Sequence, residues 1–132
     1  MSFEKHTDHY SIVVDHVLNL LHITRRGHWT IGIFDEYEQE LRKQLPHLMR
    51  NPDGYVSLVD VREQPIQSQD VASRFERLVA DNTIAPAKVA IIATQALARL
   101  QARRLSRANQ QIFTSEEEAR LWLLDATKSA TG

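Results

Sequence analysis

The stretch Ile31-Gly-Ile-Phe-Asp-Glu-Tyr-Glu-Gln-Glu-Leu-Arg-Lys-Gln-Leu-Pro-His-Leu-Met-Arg-Asn-Pro-Asp-Gly-Tyr-Val-Ser-Leu-Val-Asp-Val61 decides the fold, because its hydrophobic period changes partway along. Phe34, Tyr37, Leu41, Leu45 and Leu48 recur at three and four residues, which predicts a helix with one apolar stripe. Asp35, Glu36, Glu38 and Glu40 crowd its start, where carboxylates suit the positive end of the helix dipole. Pro46 lies in its last turns, and Asn51-Pro-Asp-Gly54 is a turn signal. Tyr55–Val61 then reads as a strand by length and composition.

Working outward, the same switch repeats. Pro65 separates that strand from a second helix, in which Val71, Phe75, Leu78 and Val79 share a face. Lys88–Ala93 is a short continuous apolar run, as expected of a strand covered on both faces. An alanine-rich helix is expected over Gln95–Arg107, then a short strand over Gln111–Phe113. A last helix opens at Thr114-Ser-Glu-Glu-Glu118, where Thr114 with Glu117 or Ser115 with Glu118 forms a capping box. Leu121, Trp122 and Leu124 are expected to anchor it. Upstream, Tyr10–Val14 and Leu18–Thr24 read as two strands turning near Asp15 and His16, with Gly27 ending the second.

The resulting order is ββαβαβαβα. It predicts an α/β domain with a mixed sheet of four or five strands, its parallel part built from right-handed crossovers. The 132 residues fit one domain, expected over 10–126, with 1–9 and 127–132 as tails. No cysteine is present, which removes disulfides, thiolate metal sites and thiol catalysis. A formal net charge of −1 gives no general attraction to nucleic acid or acidic membrane. The N-terminal stretch lacks a secretory pattern, and no apolar run approaches the ~20 residues of a membrane span. A cytoplasmic location is the expectation.

This element order, the acidic-start first helix, the strand closing in Asp60 and the ending Phe113-Thr-Ser-Glu-Glu-Glu-Ala-Arg-Leu-Trp-Leu123 together resemble stand-alone bacterial STAS-like proteins. These are relatives of anti-anti-sigma factors that have been compared with Sec14-type lipid-binding domains. The resemblance spans Tyr10 to Ala126. It implies a non-catalytic regulatory module, with a phosphorylatable serine where the second helix begins, shortly after an aspartate that closes the preceding strand. Ser68 is the nearest serine to that position. The surrounding Gln67-Ser-Gln-Asp70 departs from the family's Asp-Ser-Ser-Gly-like turn and has no glycine.

Ligands of open α/β sheets bind outside the carboxyl ends of the parallel strands. Here that edge is expected to present Arg25, Arg26, His28, Trp29, Asp60, Arg62 and Thr94. The arginines could hold an anionic group beside the Trp29 ring, or could pair with neighbouring carboxylates in solvent. Ser68 is either a helix cap or a modified switch. Arg99, Arg103 and Arg107, with Arg104 adjacent, form a basic ridge in a region without acidic residues. It could meet an acidic partner, or simply suit the helix end. The six histidines show no metal-binding spacing. No nucleophile elbow, Walker loop or dinucleotide fingerprint occurs. No metal, cofactor or nucleic-acid partner is expected.

The functional expectation is therefore a non-catalytic module, open to phospho-regulation, that binds a partner protein or a small ligand at the carboxyl edge of the strands; a homodimer is a separate expectation with no surface assigned. The alternative is a carrier or sensor of a small apolar or lipid-like molecule, which would need a cavity between helices and sheet.

Overall fold

The alternating apolar runs pair into one sheet in the computed structural model, which describes residues 3–96, 99–100, 103 and 109–124. Its strands are β1 (Phe3–His6), β2 (Tyr10–Asp15), β3 (Leu20–Arg26), β4 (Val56–Glu63), β5 (Lys88–Ile92) and β6 (Gln110–Phe113). They lie side by side in chain order, β1 to β3 antiparallel and β3 to β6 parallel. The helices are α1 (Ile31–Leu48), α2 (Gln69–Ala80) and α3 (Glu116–Leu124), with a 3₁₀ turn at Asn82–Ile84. The expected helix over Gln95–Arg107 falls largely outside the described residues.

The sheet has six strands where four or five were expected. The addition is β1, in the segment expected to be a tail. Phe3 pairs with Val14 and packs its partly buried ring against the core, while Glu4 and His6 face outward. Two alternations in a short polar segment are too few to be read as a strand in advance. The turn between β2 and β3 also runs longer than expected, because Asp15 Oδ1 accepts from Val17 N at 2.9 Å and Leu18 N at 3.0 Å. This Asx turn keeps Leu18 out of β3. Asn19 adopts φ 51°, and its side-chain amide donates to Leu48 O and Gly54 O. That pins the hairpin to the end of α1.

One face of the sheet carries α1 and α2. The helix stripe Phe34, Tyr37, Leu41, Leu45 and Leu48 is buried as expected and meets Tyr10, Ile12, Val14, Leu21 and Ile23. Thr30 caps α1 by accepting from Ile33 N at 3.2 Å, and the acidic residues begin only in the second turn. The opposite face carries α3, where Ala119 and Leu123 close on Leu20, Leu58, Ala90 and Ile92. Here the expected face was out of phase, since Leu121 is 66% exposed and Leu124 41% exposed. Ser115 accepts from Glu118 N at 3.3 Å, which starts the helix at Glu116 and turns the residue pair 119/123 onto the sheet. Trp122 lies half-buried beside Phe113, with Lys88 Nζ 4.4 Å from its ring centroid.

Candidate functional site

Strand parity determines where the edge residues point. Arg25 has the same parity as Leu21 and Ile23, and so turns toward α1 and α2 rather than into solvent. Its Cζ sits 4.3 Å from the Phe75 ring centroid, and its Nε is buried without a hydrogen bond. Burial pushes the guanidinium below its ordinary range, partly offset by the Tyr37 hydroxyl beside it. The same burial raises the Tyr37 phenol, with Arg25 pulling it back in part.

Trp29 also goes inward. It is 4% exposed, with its ring 5.0 Å from Tyr37, 5.4 Å from Phe75 and 6.0 Å from Tyr10. Its indole donates to Arg26 O at 3.0 Å. The ring is therefore core, anchored by its polar edge.

The remaining edge residues separate. Arg26 donates to Thr7 O at 2.9 Å and to Ser11 Oγ at 2.8 Å, toward the antiparallel end of the sheet. Ser11 Oγ lies 2.9 Å from His6 Nδ1, and His6 Nε2 lies 3.0 Å from Glu4 Oε1. That connectivity is the one an acid–base relay uses. However, Ser11 is 7% exposed and its oxygen already accepts from Arg26, so the network clasps β1, β2 and β3 together. His28 and Thr94 are exposed.

Asp60 is covered and holds Arg62 through both carboxylate oxygens, at 3.0 and 2.7 Å, with Arg62 N also donating at 3.0 Å. Burial acts to raise the Asp60 carboxyl, but these hydrogen bonds outweigh it and hold the group below the usual carboxylate range. Beside this pair, on the α3 face, Arg120 bridges Glu116 at 2.8 Å and approaches His22 Nδ1 at 3.4 Å. Burial lowers the His22 imidazole below its ordinary value.

Ser68 is exposed at the N-cap of α2, its Oγ accepting from Val71 N at 3.4 Å. In the expected basic ridge, Arg99 is half-buried and Arg103 exposed, whereas Arg104 and Arg107 lie outside the described residues. Among the described residues no three His, Cys, Asp or Glu side chains gather as a metal-binding group. No helix among them is long and apolar enough to cross a membrane.

Arg25 and Tyr37 open onto a feature that sequence reading did not locate, a partly open cavity of about 130 Å³ between the sheet and the helices. Leu21, Ile23, Val59 and Ile91 form its floor, with Leu41, Phe75 and Leu78 above. Tyr55 closes one end, its hydroxyl donating to Ile84 O. Gln67 was missed as well. It is buried, and it ties the loop after β4 to the loop after β3. Parity with Leu21 and Ile23 was the available signal for Arg25, whereas Gln67 had none.

Comparison with known proteins bears on the architecture. No protein-family model matches the chain, and no curated protein matches it. Among solved structures it is similar to an uncharacterized protein of the DUF3478 family with a SpoIIAA-like fold, from Shewanella loihica PV-4. The TM-score is 0.65 at 18% identity, covering 93% of this chain and 92% of the other. The fold is SpoIIAA-like. Within this STAS-like frame, the loops after β3, β4 and β5 form the carboxyl edge, and the cavity lies beneath α1 and α2.

Proposed function

We propose that this STAS-like chain is a non-catalytic binding module that receives a small apolar ligand between its sheet and α1–α2, acting as its sensor or carrier. The single observation behind this reading is the apolar cavity lined by residues of both layers. A core closed for stability alone would fill such a space, because interiors pack to near-crystalline density and each void costs stability. A methyl-labelled NMR titration with benzene tests it. Saturable shifts are expected at Ile23, Val59 and Ile91, and those of Ile23 and Ile91 should vanish in Val59→Phe, which fills the space. Unshifted methyls in the wild type would overturn the reading.

A second reading, a partner protein engaged at the strand edge under control of Ser68, is favoured by the exposure of that serine at a helix start. With Arg25 and Trp29 turned inward, the exposed His28, Thr94 and Arg62, the last paired with Asp60, are edge residues accessible to such a partner.

A further inference from the structure

We propose that the cavity takes a small apolar carboxylate, its head held by the Arg25 guanidinium beside the Tyr37 hydroxyl and its body lying against Phe75. The proposal rests on the ligand-binding reading above and adds the chemical class of the ligand.

Three observations converge on it. First, Arg25 is the one charged residue lining a mostly apolar cavity, to which Ser57 and Gln110 also contribute, among the described residues, and its Nε is buried and unbonded. The guanidinium, half-buried overall, has a neutral hydrogen-bonding partner in the Tyr37 hydroxyl but no charged one, and a covered charge without a counter-ion is a cost ordinarily met by an opposite charge. Second, that opposite charge is missing. Among the described residues no carboxylate pairs with Arg25, and the chain has no acidic residue between Asp81 and Glu116. The segment between β5 and β6 therefore brings no counter-ion. Third, the Phe75 face and the Tyr37 hydroxyl orient the planar fork without neutralising it. A guanidinium fork matches a carboxylate through two parallel hydrogen bonds. One guanidinium balances one negative charge, which fits a carboxylate better than a phosphate dianion. Size sets the body, since a cavity of about 150 Å³ takes a benzene ring and this one measures about 130 Å³ while being partly open.

The test uses four probes of near-equal size (benzene, benzamide, benzylamine and benzoate) titrated into the intact chain by calorimetry and methyl NMR. Benzoate should bind at least about tenfold more tightly than benzamide or benzylamine. Arg25→Met should abolish that preference while benzene still shifts the cavity methyls. Its thermal melt without ligand should stay close to that of wild type, because losing the Phe75 and Tyr37 contacts is offset by removing a covered charge that has no counter-ion. Tyr37→Phe, a gentler change, should weaken benzoate and leave benzene unaffected. Benzene binding without any benzoate preference would overturn the carboxylate and spare the cavity. Failure of every probe would overturn the ligand-binding reading and the proposal with it. A large loss of melting temperature in Arg25→Met, with no benzoate preference in the wild type, would make Arg25 a structural clamp.

Discussion

Gln67 Oε1 accepts the backbone amide of Trp29 at 2.7 Å, joining the loop after β4 to the start of α1. Its amide nitrogen donates to Gly27 O at 3.1 Å and Pro65 O at 2.6 Å, so one buried side chain satisfies three backbone groups. Gly27 adopts φ +70°, which turns the chain toward this clasp. Trp29 reaches the aromatic core because the loop carrying it is held here.

Gln67→Ala should therefore destabilise by about 2–4 kcal/mol, since it leaves several covered backbone groups unpaired. Denaturant melts measure the loss, and amide exchange at Trp29 should accelerate. A change below about half a kilocalorie would place it among ordinary surface substitutions and show that water replaces the clasp.

The phase of α3 gives a paired prediction. Leu123 is 1% exposed on the sheet, whereas Leu121 is 66% exposed. Leu123→Ala should cost about 2–5 kcal/mol, and Leu121→Ala should stay within about 0.5 kcal/mol. Equal losses in urea melts would mean that α3 sits in another register.

What the sequence disclosed follows from how many residues carry each signal. α1 was readable because five apolar residues repeat through a long helix, and β5 because its apolar run is continuous. β1 offered two alternations, and α3 offered adjacent large apolar residues compatible with more than one phase. Trp29 and Arg25 were read as a rim because both lie beyond the expected end of the strand at Thr24, where loop residues usually run over the surface. Parity with Leu21 and Ile23 turns Arg25 inward, and Gln67 fixes the loop that sends Trp29 the same way. The cavity arises from distances between layers, which residue spacing does not encode.

His22 should make stability fall in mild acid. Glu116 and Arg120 from α3 and Asp60 and Arg62 from β4 face it, and burial lowers its pKa. An unfolded chain then binds more protons than the folded one below about pH 6.5. The contribution is complete above that value and is lost as pH falls toward the lower folded pKa. Asp60, also held below its usual range, loses its contribution only in stronger acid, below its ordinary value of 3.8. Denaturation midpoints measured between pH 7 and pH 5 should drop in the wild type and flatten in His22→Gln. Parallel curves for the two proteins would remove His22 from the acid response.

Ser68 separates a cap from a switch. Its hydroxyl accepts from Val71 N, so Ser68→Ala should cost about 0.5–2 kcal/mol. Aspartate also caps helices and suits the positive helix end, so Ser68→Asp should melt like wild type. A phosphate would add roughly −1.5 to −2 charges at this exposed position. It would meet an Arg62 already paired through Nε and Nη2 with Asp60, so any contact there would use the remaining guanidinium donors. Under a switch, Ser68→Asp changes partner capture while Ser68→Ala retains it, and phosphopeptide mapping finds Ser68 modified. If Ser68 is unmodified across growth conditions and both variants capture the same proteins, the switch is excluded. The serine then acts only as the cap of α2.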